Sequence, residues 1–345
     1  ALYRNTTASY NTAFGYRSLY SNTTGASNSA FGYQALNSNT TGSYNAAFGR
    51  DALFANTTGA KNAAFGYQAL AVNTTGSFNL AAGYQTLTSN TTGASNSAIG
   101  FQALALNTTG SYNQALGPLA LSGNTTGSYN VAIGDSALYA NTTGSFNTAL
   151  GDRTLYANST GEYNSGIGMK ALFTNTTGSY NAATGYTSLY SNTTGDYNVA
   201  SGTSALFSNT TGSYNVAIGA NSLFENTTGA ENTGIGLEAL QSNTTGSDNT
   251  ALGLKAGYSN TTGSNNVFIG YKAGYNETGS NKLYISNNAS SNLITGDFSS
   301  GALSLGQTSG TVSVLNNFDV DGTSNLDDVN IDGAVSLNGT ALTTS

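Results

Sequence analysis

The chain contains no cysteine, no histidine and no tryptophan, and only one proline, Pro118. Without cysteine there are no disulfides and no thiolate metal sites, although that absence alone does not place the protein in a redox compartment. Without histidine or cysteine the usual general base and thiol nucleophile are missing, so catalysis would have to rest on carboxylates. Charge is also scarce: Asp, Glu, Lys and Arg make up 7% of the 345 residues. That is too little for charge-driven disorder, and the 22 Tyr and 14 Phe argue against disorder altogether. The net charge of −7 is spread thinly, with no basic patch, so the electrostatic footprint of a nucleic-acid-binding protein is missing. No run of eighteen apolar residues occurs, which excludes a spanning helix, and no signal peptide is visible.

What the chain does have is a seventeen-residue repeat. An Asn-Thr-Thr-Gly or similar tetrapeptide begins at Asn5 and returns every seventeen residues as far as Asn260. Six residues after each comes a second Asn, from Asn11 to Asn266, and ten after each a Gly, from Gly15 to Gly270; both columns are filled in all sixteen units. A fixed period this short marks stacked supersecondary units. Ala1-Leu2-Tyr3 matches Ala137-Leu138-Tyr139 of a later unit, so the chain starts mid-repeat and further sequence is expected upstream.

Unit eight, Asn124 to Ala140, holds two short apolar runs, Val131-Ala132-Ile133 and Ala137-Leu138-Tyr139, each bounded by Gly, Asn or Thr. Seventeen residues suit one coil of an all-β parallel solenoid with two short strands, and are too few for a paired-helix repeat. Gly, Asn and Thr are also poor helix formers. Strand alternation puts the Asn130 and Ala132 columns on one side and Val131 and Ile133 on the other. The Ala132 column is small almost throughout, with Phe268 as a late exception, and suits a narrow interior that the Leu column (Leu19, Leu36 and onward to Leu240) fills. An interior ladder is expected from the second asparagines, Asn11, Asn28, Asn45, Asn62, Asn79, Asn96, Asn113 and Asn130, each amide bonding the next and satisfying turn backbone groups. The Gly column supplies a tight turn or positive φ.

The Ile133 column then faces outward: Phe14, Phe31, Phe48, Phe65, Ile99, Ile133, Ile167, Ile218 and Ile235 among others. An apolar stripe running along a rod is too large to leave in water, and a symmetric homo-oligomer is the economical cover. Sixteen coils at roughly 4.8 Å make a rod about 77 Å long.

Asn130-Val-Ala-Ile-Gly134, repeated as Asn215-Val-Ala-Ile-Gly219, resembles the head repeat of YadA-like trimeric autotransporter adhesins. The resemblance implies a trimer of left-handed parallel β-rolls. The seventeen-residue coil is longer than that family's usual repeat, and its coiled-coil stalk and membrane anchor have no counterpart here. The Asn-Thr-Thr-Gly repeats and the segment Asn281-Lys-Leu-Tyr-Ile-Ser-Asn-Asn-Ala-Ser-Ser-Asn-Leu-Ile-Thr-Gly-Asp-Phe298 more closely resemble phage and phage-like tail-fibre proteins ending in an endosialidase-type intramolecular chaperone. Together these similarities span most of residues 1–300. In that family the chaperone trimerises the fibre and then cleaves itself off after a serine; the chaperone is not in this sequence, which stops at Ser345, where either self-cleavage or truncation would leave it.

Regularity breaks after Asn260: Gly257 and Gly274 replace Leu, and Asn276-Glu-Thr-Gly279 arrives one residue early. Terminal solenoid units are expected to be atypical in this way. The division expected is a solenoid shaft over 1–275, a capping segment over 276–300 and a slimmer β-rich trimeric stalk over 301–345, too short for its own core.

Most site-like features have a plain structural explanation beside the functional one. Asp135 and Asp152, in equivalent places of neighbouring coils, could form a glycosidase-type pair but read better as solvated turn residues. Asp328-Val-Asn330-Ile-Asp332-Gly333 matches half of a calcium loop; Gly339 stands where the bidentate Glu belongs, and the flanks read as strand. No metal or cofactor is expected. Asn22, Asn39, Asn56, Asn73, Asn90, Asn107, Asn124, Asn141, Asn158, Asn175, Asn192, Asn209, Asn226, Asn243 and Asn260 all open formal N-glycosylation sequons; turn chemistry alone also accounts for the motif. Tyr recurs before the second Asn (Tyr10, Tyr44, Tyr112, Tyr129) and after the Gly (Tyr16, Tyr33, Tyr67), where structural stacking is favoured over sugar binding. Ice binding would want a flat Thr-x-Thr array, and adjacent Thr pairs point apart.

The sequence thus predicts a non-enzymatic fibrous attachment protein, extracellular on a virion tail or cell surface. Its expected partners are copies of itself and a glycan or protein receptor at a rod end, with no nucleic acid and no membrane insertion. The alternative is a self-assembling extracellular filament, glycosylated on its turns and without a receptor.

Overall fold

The computed structural model describes residues 1–306. Among these there are strands and turns and no helix. Each unit contributes one three-residue strand, from β1 (Thr12–Phe14) to β16 (Val267–Ile269). Pairing is parallel and in register with the same position seventeen residues on. β8 (Val131–Ile133) sets Val131, Ala132 and Ile133 against Thr148, Ala149 and Leu150 of β9 (Thr148–Leu150). Because strand side chains alternate with period two, this constant register stacks like on like and turns every repeat position into a column. The fold is therefore a parallel β-solenoid of seventeen-residue coils.

The central strand residue points inward: Ala132 is fully buried while Ile133 beside it remains exposed. Behind it lie the Ala137 and Leu138 columns, equally buried, so the core is a stack of Ala and Leu layers closed by asparagine.

The second apolar run, expected as a strand, is a turn. Ser136 and Leu138 both have φ of 53°, and every column leucine from Leu19 to Leu240 lies between 49° and 54°. Each non-glycine residue held in this left-handed region costs about 1–2 kcal/mol. Complete burial of Leu138 returns roughly 2 kcal/mol. Its N–H also donates to the Thr154 carbonyl of the next coil at 3.0 Å. Nothing in a leucine advertises this conformation, which is why the triplet reads as a strand.

Both glycines of a unit sit against a glycine carbonyl of the next coil, Gly134 against Gly151 and Gly127 against Gly144. Gly134 also has φ of 135°, and a Cβ there would stand 2.6 Å from the Gly151 carbonyl carbon. Gly127 has no such φ, but a Cβ there would in addition press on the Asn124 and Asn141 amides, at 2.5 Å and 3.0 Å. The glycine of the tetrapeptide thus makes room for asparagine as well as for the next coil.

The regular stack ends at β17 (Lys282–Ser286), parallel to β16 but paired one residue early, with Val267 opposite Leu283. β18 (Asn292–Asp297) and β19 (Ala302–Leu305) then add antiparallel to β17 and to one another. β19 falls at the start of the expected 301–345 stalk; the remainder, including Asp328–Gly333, lies outside the described residues.

Candidate functional surfaces and the capping cleft

The second asparagines satisfy turn backbone groups as expected, but the continuous amide ladder lies in the other column. Asn28, Asn45, Asn62, Asn79, Asn96, Asn113 and Asn130 are at most 2% exposed, and Asn11 in the first coil is partly exposed. These amides mainly hold backbone. Asn113 donates through Nδ2 to the Gly127 carbonyl at 2.9 Å, and its Oδ1 accepts from the Asn130 N–H at 3.0 Å. Contact with the next amide is occasional, as from Asn130 to Asn113 at 3.2 Å. The continuous amide-to-amide ladder runs through the first column: Asn141 Nδ2 donates to Asn124 Oδ1 at 2.8 Å and to the Gly144 carbonyl at 2.9 Å. It stops at Asn260, whose Oδ1 is buried without a partner among the described residues.

This geometry favours turn chemistry over sugar attachment at the column asparagines. The fifteen asparagines of the column from Asn22 through Asn260 are fully buried, whereas Asn5 in the first coil and Asn276 at the cap, which also open sequons, are exposed. In the buried column Nδ2, the atom an N-glycan would take, spends both hydrogens inside the coil. The first threonine is likewise structural: Thr125 Oγ1 donates to the Thr142 carbonyl of the next coil at 2.9 Å.

The apolar column lies on the surface of the chain. Phe48, Phe65, Ile99, Ile133, Ile167 and Ile218 are 38–43% exposed, Phe14 in the first coil 74%, and Phe31 and Ile235 are half-buried. Phe31, Phe48 and Phe65 stack at 4.9 Å and 5.3 Å. Ala82, Thr184 and Ser201 interrupt the column without ending it.

Aromatic rings form ladders. Tyr112, Tyr129, Phe146, Tyr163, Tyr180, Tyr197 and Tyr214 stack continuously at 4.8–5.1 Å and within 7° of parallel. The inner rings therefore cover one another's faces, leaving their edges and hydroxyls to solvent, while Tyr112 and Tyr214 end the stack. Desolvation, then neighbouring Tyr180, Tyr214 and Asp196, push the Tyr197 hydroxyl above its ordinary pKa. A second ladder escapes the sequence reading: Tyr139, Tyr156, Phe173, Tyr190, Phe207 and Phe224 stack at 5.1–5.2 Å. Aromatics at seventeen-residue spacing just after each leucine were the available signal. In the Tyr33 column Arg50 replaces a ring, its guanidinium 5.6 Å from Tyr33 and 5.7 Å from Tyr67, a cation–π filling of the gap.

The carboxylates of Asp135 and Asp152 turn to neighbours on their own coils. Asp135 accepts from Ser136 Oγ at 2.8 Å, and Asp152 lies 3.7 Å from Arg153 Nε. A more organised carboxylate sits at the cap, in a cleft of about 180 Å³ lined by Gly274, Tyr275, Asn276, Glu277, Tyr284, Ala289 and Asn292. Glu277 Oε1 accepts from the Thr278 and Gly279 N–H groups at 3.0 Å and 2.7 Å, and Oε2 from the Tyr284 hydroxyl at 2.6 Å. Burial pushes the Glu277 carboxyl up, but Tyr284 and the two N–H groups outweigh it and hold it below its usual range. Burial and the same hydrogen bond push Tyr284 up to about 12. Nearby, Lys282 pairs with Asp297 at 2.8 Å; that hydrogen bond, with those from Ser299, holds the Asp297 carboxyl well below normal.

No family model, curated protein or solved structure matches this chain.

Proposed function

We propose that this chain is the shaft of a fibrous attachment protein, a homotrimer outside the cell on a virion tail or cell surface, with its receptor bound at a rod end. The observation that carries the reading is the outward apolar column, which passes through Ile99, Ile133, Ile167 and Ile218 on one face of the solenoid. A strip that long is costly in water, and rotation about an axis parallel to it buries the same column in every copy. The likeness of the Asn-Thr-Thr-Gly repeats and of residues 281–298 to phage tail fibres supports the same reading. Near-identical coils offer a ligand no unique pocket, whereas the cap departs from the repeat. Weak sites in several copies would then act together. Catalysis has little chemistry to draw on.

Light scattering of the full chain tests the assembly: the expected mass is that of a closed trimer of 35.0 kDa chains. A monomer would overturn the interface, and open-ended growth would favour the filament alternative. Saturable adsorption of the labelled protein to host cells tests attachment.

A further inference from the structure

We propose that the capping cleft is a binding site for one neutral or amine-bearing hexose unit; this rests on the attachment reading and gives it a site and a ligand class. Tyr275 supplies the first observation. It stacks on Tyr258 at 4.9 Å and 8°, and it lines the cleft. No further ring covers it among the described residues, because the repeat ends there; the Lys272 ammonium lies 5.6 Å from its centroid. Within the shaft ladders the inner ring faces are spent on neighbours; what the cap adds is a ring beside a hydrogen-bonded carboxylate. An aromatic face beside polar groups suits the C–H face and hydroxyl rim of a pyranose.

Glu277 supplies the second. Each carboxylate oxygen can accept two hydrogen bonds. Oε1 has two donors and Oε2 has only the Tyr284 hydroxyl. One acceptor position on a carboxylate fixed by three donors therefore remains for a ligand hydroxyl or ammonium. Such preorganisation lowers the ordering cost of binding. The Asn276 and Asn292 side chains, also on the cleft wall, have no hydrogen-bond partner among the described residues, and an amide can both donate to and accept from a sugar hydroxyl.

Charge and size narrow the ligand. The cleft carries a carboxylate and the chain has net charge −7; of the two nearby cations, Lys282 is held by Asp297 at 2.8 Å and Lys272 lies over the Tyr271 and Tyr275 rings. Repulsion from the Glu277 carboxylate disfavours acidic sugars at its open acceptor position. A volume of about 180 Å³ is below that of drug-sized pockets, which start at about 300 Å³, and suits a single ring.

The test is saturation-transfer NMR on the full chain with methyl glucoside, methyl galactoside, methyl N-acetylglucosaminide, glucosamine and N-acetylneuraminic acid. Millimolar binding of at least one neutral or amino sugar, and none of N-acetylneuraminic acid, is expected. Asn292→Leu, which fills the cleft, and Tyr275→Ala should each weaken binding by about tenfold or more, with Tyr275→Phe retaining it and melting controls confirming the fold. No saturable sugar, preference for the acidic sugar, or unchanged binding in Asn292→Leu would overturn the proposal. Cell adsorption separates the two readings. Adsorption that survives Asn292→Leu overturns the cleft as the receptor site and leaves attachment standing. Sugar binding without any adsorption supports the cleft and removes attachment.

Discussion

Phe268 and Gly274 share one volume. A side chain at Gly274 would run into the Phe268 ring, its Cβ 3.3 Å from Cγ and closer still to the ring edge; Gly257, one coil earlier, would meet Cε2 at 2.7 Å. Elsewhere the strand contributes alanine and the turn contributes leucine. Here large and small are exchanged, and both glycines keep the left-handed backbone of the leucine column, at φ of 60° and 58°. Phe268→Ala should therefore open a cavity and cost about 3–5 kcal/mol. Adding Gly257→Leu and Gly274→Leu to it rebuilds the regular pattern and should recover most of that loss, whereas Gly274→Leu alone overpacks. Denaturant melts of the four proteins decide it; a triple variant no better than Phe268→Ala would show that the ring is not filling leucine space.

Much of this architecture was legible in residue spacing. The period places every coil, and Ala132 against Ile133 separates inside from outside, because a strand's side chains alternate whatever their neighbours do. Two things were not legible. Leu138 looks like a strand residue, since its left-handed turn is imposed by packing and inter-coil bonds rather than by preference. Asn141 looks like an exposed turn residue, since a sequon and a buried amide ladder use the same tripeptide. At the cap, the exchange of Phe268 with Gly257 and Gly274 was visible as separate irregularities, but their compensation needed coordinates. The cleft around Glu277 joins residues from either side of a hairpin that the repeat does not predict.

The first-column amide ladder should be intolerant of gaps. Asn141→Ala removes donors to Asn124 Oδ1 and the Gly144 carbonyl. The Gly144 carbonyl keeps its bond from Asn130, but Asn124 Oδ1 is left empty and Asn158 Nδ2 loses the Asn141 Oδ1 acceptor, which should cost roughly 2–4 kcal/mol. Asp135→Ala, on the surface, serves as the control. Equal melting of the two variants would contradict the buried ladder. Intact mass of the folded protein from a glycosylating host should likewise show no N-glycan on Asn141.

Positions held at positive φ invite improvement. Glu231 has φ of 59°, and the same column already uses Asn265 and Asn281 at 59° and 61°. Asn tolerates this region better than Glu, so Glu231→Asn should stabilise by up to about 1 kcal/mol. The readout is a rise in melting temperature; a fall would mean that the Glu231 side chain holds something the backbone argument omits.

The apolar column predicts an assembly that can be dissolved without unfolding the chain. Ile133 and Ile218 are exposed in the single chain, so Ile133→Asp with Ile218→Asp should leave each solenoid folded. In a trimer sealed along that column the same changes bury charge, at several kcal/mol per site. Light scattering should therefore fall to the monomer mass while circular dichroism stays unchanged. An intact trimer would move the interface to another face.

The cap should respond to pH through one hydrogen-bonded pair. The fold raises the Tyr284 hydroxyl from 10.0 to about 12, so it favours the protonated phenol. Its contribution is complete below pH 10 and is lost as pH climbs towards 12. Glu277 runs the other way. Its net depression means that its contribution is present above the unfolded value of 4.5 and is lost as pH falls through the lower folded value. Tyr284→Phe removes the hydroxyl from both balances. The Glu277 carboxyl, followed by carbon NMR, should then titrate at higher pH than in the unmodified protein, and the loss of cap stability between pH 10 and 12 should shrink. If the Glu277 titration does not move, the Thr278 and Gly279 N–H groups alone hold the carboxylate, and Tyr284 is a bystander at the end of the solenoid.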